Sequence, residues 1–173
     1  MARDNLRKLT ISALCLSLCL VLPFFTGQIP QIGNMLLPMH FPVFICAFLC
    51  GASYGAVVGF IAPLLRYIVF HMPQLPMGIP MAFELMTYGL IAGFVYKKLG
   101  YKRNSEYLAL MASMLVGRIV WGAVSALIAI SGAKAFSVNL FIAGGFIKAV
   151  PGIILQLLII PPLVRGLNKA IKR

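Results

Sequence analysis

The stretch LPMHFPVFICAFLCGASYGAVVGFIAPLLR, Leu37–Arg66, decides the fold of this chain. It contains one apolar run over Phe41–Leu49 and most of a second run over Tyr54–Phe70, with Gly51 between them. Arg66 is the only charged residue in the stretch. Apolar runs that a glycine interrupts are typical of helices that lie in lipid and turn from one helix into the next. We therefore predict two consecutive helices of a membrane protein here.

The composition of the whole chain agrees with a membrane protein. Of its 173 residues, 61% are hydrophobic and 10% are charged, whereas a soluble domain carries about 25% charged residues. A chain with so few charges cannot cover itself with a polar surface, so lipid is its expected solvent. At about 20 residues per span, the length suits a single domain, residues 1–173, with six spans.

The fold class that we predict is an all-α integral membrane bundle of six transmembrane helices. Four further apolar segments join the two runs above: Leu9–Phe25, Met81–Tyr96, Tyr107–Ile130 and Leu140–Val164. Two uncharged segments rich in proline or glycine, 26–39 and 71–80, are predicted to be loops on the outer side. Pro151, Pro161 and Pro162 are expected to kink or end the last helix.

The basic residues predict the orientation of the bundle. Six spans place eleven of them on one side: Arg3, Arg7, Lys8, Lys97, Lys98, Lys102, Arg103, Arg165, Lys169, Lys172 and Arg173. The other side holds Lys134. The positive-inside bias then places both termini in the cytoplasm, and we expect a multi-pass protein of the bacterial plasma (inner) membrane. Because the net charge of +12 is gathered in segments that flank apolar runs, we expect no nucleic-acid partner.

Four charged residues remain inside the spans: Arg66, Glu84, Arg118 and Lys148. A charge in the hydrocarbon region costs at least about 2.5–3.5 kcal/mol, so such residues normally face a protein interior or a watery cavity. Counted from the outer ends of the spans, their depths are about 8, 5, 18 and 12 Å in that order. This distribution predicts an outward-facing pocket that favours anions. An ion pair of Arg66 with Glu84 is the alternative interpretation, and it leaves two of the cations unexplained.

Two aromatic residues accompany these charges at helical spacing. Tyr88 follows Glu84 by four residues, and Trp121 follows Arg118 by three. An aromatic ring beside a polar clamp suits a small ligand with a flat or apolar part. Core packing, or anchoring at the membrane interface, is the alternative role for both aromatic residues.

Asn34 and His40 lie in or beside the first outer loop, where a lid over the pocket is expected. For a loop histidine without a partner motif, an incidental role is the alternative. The sequence contains no phosphate-binding loop and no metalloprotease or hydrolase motif. We interpret the four cysteines as small packing residues and expect neither a metal nor a cofactor: Cys15, Cys19, Cys46 and Cys50.

The chain resembles the substrate-binding S components of energy-coupling factor (ECF) vitamin transporters over nearly its whole length. The resemblance is most specific in Leu37–Arg66, in MPQLPM at 72–77 and in MAFELMTYGLIAG, Met81–Gly93. Similar stretches occur in the branch that includes pantothenate carriers. The resemblance implies a six-helix protein that binds a vitamin at its outer face and topples in the membrane on docking.

The resemblance also implies partners. The S component docks on a transmembrane coupling (T) subunit, and two separate ATPase subunits hydrolyse the ATP, so this chain is not expected to be an enzyme. The coupling contact of the family, an A-x-x-x-A-type motif, matches Ala13 and Ser17 here, with serine in place of the second alanine.

The family does not specify the ligand. The excess of cations favours a carboxylate-bearing vitamin such as pantothenate or niacin, and Glu84 leaves a pyridoxine-type or nucleoside-like ligand open. Two other functions remain as alternatives. One is a membrane-embedded enzyme that uses Glu84 and His40 as acid and base, and the other is an assembly subunit without a ligand.

Overall fold

A computed structural model describes residues 2–26, 35–100, 102, 104–130, 147 and 149–171. These residues form helices and contain no strand. A short 3-10 segment, Leu22–Thr26, continues the first helix. The helices are α1 (Ala2–Val21), α2 (His40–Cys50), α3 (Ala52–Phe70), α4 (Leu75–Lys98), α5 (Ser105–Ile130) and α6 (Val150–Ile171).

Five of these helices are long and apolar enough to cross a membrane, and α2 is the shorter one. At 11 residues, α2 is about 16 Å long, whereas the hydrocarbon core is about 30 Å thick. The predicted all-α membrane bundle is thus confirmed, with one helix of roughly half length.

The short helix α2 runs antiparallel to the segment of α1 from Lys8 to Cys19. The Cys19 thiol contacts the carbonyl oxygen of Met39 at 3.5 Å, and the Cys50 thiol contacts that of Lys8 at the same distance. These two contacts span the whole of α2, so its C-terminus lies beside the basic start of α1. Its N-terminus, at His40, therefore begins inside the bundle.

The four cysteines lie along this seam between α1 and α2. All are buried free thiols, and the Cys46 sulfur lies 3.4 Å from the Ser12 hydroxyl oxygen. Within the described ranges, no group of histidine, cysteine or acidic residues is arranged to hold a metal ion. The cysteines thus pack as small side chains between two helices.

Glycines bring α3 and α4 into close contact. A Cβ atom on Gly59 would lie 2.3 Å from the carbonyl oxygen of Leu85, and one on Gly89 would lie 2.2 Å from the carbonyl carbon of Gly55. Gly55 and Gly59 thus allow the backbones of the two helices to approach closely. Gly51 differs, because its φ of 101° and open surroundings serve the turn between α2 and α3.

The predicted outer loop 71–80 is wrong over most of its length, because α4 begins at Leu75. Pro76 lies in the first turn of the helix, where a backbone N–H would have no hydrogen-bond acceptor within the helix, so its absence in proline costs no hydrogen bond. Pro80 is accommodated inside the helix. The extra turns at this end place Glu84 deeper in the bundle than the sequence predicted.

The last helix also differs from its prediction at its C-terminal end. It continues through Pro161 and Pro162 to Ile171 rather than ending near Val164. Ile160 and Val164 flank the prolines and are fully buried, so side-chain packing holds this part of the helix in place. The predicted start at residue 140 lies outside the described residues.

Contacts gather basic groups at one end of the bundle. The Arg165 Nη2 atom near the end of α6 lies 3.1 Å from Oε2 of Glu106 at the start of α5. Lys8, Lys97 and Arg165 line one groove there. We call this end the basic end. Its composition agrees with the predicted even number of crossings, which brings both termini to the same side.

Candidate functional site

A buried cluster of four polar side chains joins three helices. His40 begins α2, Glu84 and Tyr88 lie on α4, and Arg118 lies on α5. The Arg118 Nη1 atom is 2.9 Å from Glu84 Oε1, and the Tyr88 hydroxyl donates to the same oxygen at 2.7 Å. His40 Nε2 is 3.9 Å from it. We call these four residues the polar cluster, and none is more than 5% exposed.

The lengths of the helices explain why these residues meet. Glu84 lies nine residues after the start of α4 at Leu75, which is about 14 Å along the helix. Arg118 lies twelve residues before the end of α5, about 18 Å from that end. The short helix α2 begins at a similar depth, so His40 reaches the same level.

Aromatic packing fixes the position of Tyr88. Its ring stacks on Phe44 with centroids 5.2 Å apart and planes 22° apart, and it lies 5.3 Å from the His40 ring. On the α5 side, a Cβ atom on Gly117 would lie 2.2 Å from the Tyr88 ring. Gly117 thus gives Tyr88 the room to reach Glu84.

Several buried nitrogen atoms of the polar cluster lack hydrogen-bond partners among the described residues. These are Nε and Nη2 of Arg118 and both ring nitrogens of His40. Buried polar atoms are normally hydrogen-bonded, and leaving one unpaired costs about 1–3 kcal/mol. Unpaired donors that converge on one place are therefore candidates for contact with a ligand.

The charge of the polar cluster differs from the prediction. Arg118 and Glu84 neutralise each other directly, and of the two other predicted pocket cations Arg66 lies elsewhere and Lys148 falls outside the described residues. The described site thus has unpaired donors, but it does not have the predicted surplus of cations.

Arg66 is not part of the polar cluster. Its Nη1 atom donates to the carbonyl oxygen of Leu20, and its guanidinium carbon lies 5.1 Å from the Phe24 ring and 5.3 Å from the Phe70 ring. Arg66 thus joins the end of α1 to the end of α3. An ion pair of Arg66 with Glu84 is absent from the described contacts, in which Glu84 pairs with Arg118.

Three predicted pocket residues remain: Trp121, Asn34 and Lys148. Trp121 lies on α5, one turn after Arg118, and is partly exposed. Asn34 and Lys148 lie outside the described residues.

The predicted coupling residues lie on an exposed face of α1. Ala13 and Ser17 are both exposed, and the Ser17 hydroxyl donates to the Ala13 carbonyl oxygen at 3.0 Å within the helix. Leu14 and Leu18, on the same side, are 61% and 44% exposed. The opposite face of α1 packs on α2, so this face is available to a partner.

Two further buried polar residues did not emerge from the sequence. Ser125 Oγ and Gln156 Nε2 are buried and have no partner within the described ranges. Ser125 follows Arg118 by seven residues, which places both on one face of α5. Gln156 is a single polar side chain within the apolar run of α6. These two patterns are the sequence signals that would have identified them.

The family model for "ECF transporter, substrate-specific component" matches residues 7–164 of the chain. The chain belongs to this family. Searches of curated proteins and of solved structures found no match. The resemblance described above is therefore confirmed for the S-component family, whereas the match does not select the pantothenate-like branch.

Membership defines the general role of the chain. A substrate-specific S component is a subunit of a transporter and not an enzyme, and it is a multi-pass membrane protein. The family implies a small-molecule substrate, together with the T and ATPase partners of the ECF system.

Proposed function

We propose that the chain is the high-affinity vitamin-binding subunit of an ECF-type ABC importer of the bacterial plasma membrane, and that a small carboxylate-bearing vitamin binds at the polar cluster. The observation that carries the proposal is the free edge of Arg118. Its Nε and Nη2 atoms are buried and unpaired among the described residues, while Nη1 already contacts Glu84.

The geometry of a guanidinium favours a carboxylate on that edge. The Nε–H and one Nη2–H of an arginine point in parallel and match the two oxygens of a carboxylate, which gives a bidentate, charge-assisted pair. The ion pair with Glu84 on the other side holds the guanidinium in place before the ligand arrives. Pantothenate and niacin each carry one carboxylate and are the favoured ligands.

The start of α2 adds to the preference for an anion. This helix begins at His40 without a side-chain cap and without an acidic residue in its first turn. The N-terminus of a helix carries a partial positive charge, although here the His40 N–H donates to the carbonyl oxygen of Leu37 and Pro42 has no N–H. Because α2 is short, that terminus lies at the level of Arg118 rather than at the membrane surface.

The remaining members of the polar cluster provide selectivity. Glu84 and His40 offer an acceptor and ring nitrogens to a hydroxyl or an amide of the ligand, and Tyr88 presents a flat ring. If these groups rather than Arg118 dominate binding, a pyridoxine-type or nucleoside-like vitamin would be preferred. An assembly subunit without a ligand is the weaker alternative, because it would need no unpaired buried donors.

The delivery step that we propose follows from the exposed face of α1. Ala13 and Ser17 allow a helix of the coupling subunit to approach closely, and the loaded S component topples on docking. Two separate ATPase subunits supply the energy.

A thermal-shift panel of water-soluble vitamins on the purified chain tests the proposal. A ligand at 100 times its dissociation constant adds about 2.7 kcal/mol to the free energy of unfolding. We expect a shift with pantothenate or niacin and none with thiamine, which is cationic. If no vitamin raises the unfolding temperature, the proposal fails.

A further inference from the structure

A groove of about 1010 Å³ opens at the basic end of the bundle. Residues from all six helices line it, and no member of the polar cluster does. It lies beside Cys50, at the opposite end of α2 from His40. The groove is thus a separate concave surface.

The charged residues of the groove leave an excess of positive charge. Arg165 and Glu106 line it and neutralise each other through their ion pair. Lys8, Lys97 and Lys102 line it as well, and they form no ion pair in the part of the chain that the structure describes. Three lysines without a counter-charge therefore face one concave surface.

An apolar wall stands beside these lysines. Phe94 lines the groove one turn before Lys97 on α4 and is 58% exposed. Lys97 lies in the last turn of that helix, at the level where a membrane helix leaves the hydrocarbon region and meets the phosphate layer. The Lys97 ammonium can contact a lipid phosphate at this level, and the neighbouring Phe94 ring can contact the acyl carbons of the same lipid.

We infer that this groove binds the headgroup of an anionic phospholipid from the membrane leaflet at the basic end. Lys97 and Lys102 contact the phosphate, and the first acyl carbons lie along Phe94. The start of α3, which has no side-chain cap and lines the same groove, adds backbone N–H donors. A free phosphate ion would leave Phe94 without a role, so the lipid is the better match.

Native mass spectrometry of the purified full chain tests this inference. The chain is incubated with equal amounts of phosphatidylglycerol and phosphatidylcholine that carry the same acyl chains. We expect bound phosphatidylglycerol to exceed phosphatidylcholine. Because each basic residue near an anionic lipid surface contributes roughly a factor of five to binding, the double variant Lys97→Gln, Lys102→Gln should lower that preference by about ten-fold or more.

Lys98→Gln provides the matched control. Lys98 neighbours Lys97 in the last turn of α4, is exposed and does not line the groove, so its variant should keep the wild-type preference. Equal retention of both lipids by the wild-type chain overturns the inference, and so does an equal loss of preference in both variants. Displacement of the lipid by millimolar glycerol 3-phosphate would identify a soluble phosphate as the ligand and overturn it as well.

Discussion

At Arg118, one side of the guanidinium pairs with Glu84 and the other has no partner within the described part of the chain, and this asymmetry has energetic consequences. Removing one partner of a buried ion pair costs about 3–5 kcal/mol, because the other charge is left uncompensated. A ligand that uses the free edge leaves the pair with Glu84 intact. A substitution of Arg118 that keeps the positive charge can therefore weaken vitamin binding without destabilising the fold.

Arg118→Lys is that substitution. Lysine keeps a positive charge beside Glu84 but has no Nε–Nη2 edge, so the vitamin should lose one or two charge-assisted hydrogen bonds, worth about 1.5–3 kcal/mol each. We expect the dissociation constant to rise by at least about 10-fold in isothermal titration. Arg66→Lys is the control, because Arg66 lies outside the polar cluster, and its affinity should not change. Unchanged affinity in Arg118→Lys would remove Arg118 from the site.

Gly117→Ala tests the role of Tyr88. The added methyl group would lie 2.2 Å from the Tyr88 ring, so the ring must move and its hydrogen bond to Glu84 must weaken. We expect a several-fold loss of vitamin affinity in a chain that still folds. The effect should largely disappear when Tyr88→Ala removes the ring, and a double-mutant cycle measures this coupling. Additive effects of the two substitutions would contradict the mechanism.

Among the elements, the contact between α3 and α4 sets the positions of the site residues. Their glycines bring the two backbones together, and α4 then presents Glu84 and Tyr88 toward α5. Packing with so little free space tolerates no added volume, because the atoms that a new methyl group meets belong to the facing backbone.

Gly59→Ala should destabilise the protein by about 1–3 kcal/mol, which is the usual cost of overpacking. Gly166→Ala is its matched control, because Gly166 also lies within a helix but has open space around its Cα. There, alanine should stabilise the helix by up to about 1 kcal/mol. Thermal unfolding of both variants in the same detergent measures the difference. A loss of stability in Gly166→Ala equal to that in Gly59→Ala would refute the close-contact explanation.

At the scale of the whole molecule, three candidate functional regions are separated in space. The polar cluster lies inside the bundle, the basic groove lies at one end, and the small-residue face of α1 lies on the outside. Such a separation allows a carrier to bind its ligand and its partner independently.

Ala13→Leu should weaken docking on the coupling subunit and leave vitamin binding unchanged, because a larger side chain keeps the partner helix at a distance. Co-purification with the T and ATPase subunits measures docking, and the thermal shift measures binding. Ala123→Leu, on an exposed position of α5, is the control and should dock normally. A parallel loss of docking in both variants would show that the effect is not specific to α1.

The sequence by itself determined that this protein lies in lipid and that it has about six helices. Its candidate pocket residues include the four members of the polar cluster, together with Arg66, which the structure places elsewhere. Long apolar runs predict helices wherever they occur, and the cost of burying Glu84 and Arg118 marks them as candidate site residues whatever their partners.

Only the tertiary structure decided which of these residues meet. The start of α4 depends on whether proline is tolerated near a helix end, and the resulting depth of Glu84 pairs it with Arg118 rather than with Arg66. The half-length of α2 places His40 inside the bundle instead of in a lid. These outcomes depend on how far neighbouring helices are shifted along their axes relative to one another. Side-chain packing between helices determines this shift, and the periodicity of a single helix does not reveal it.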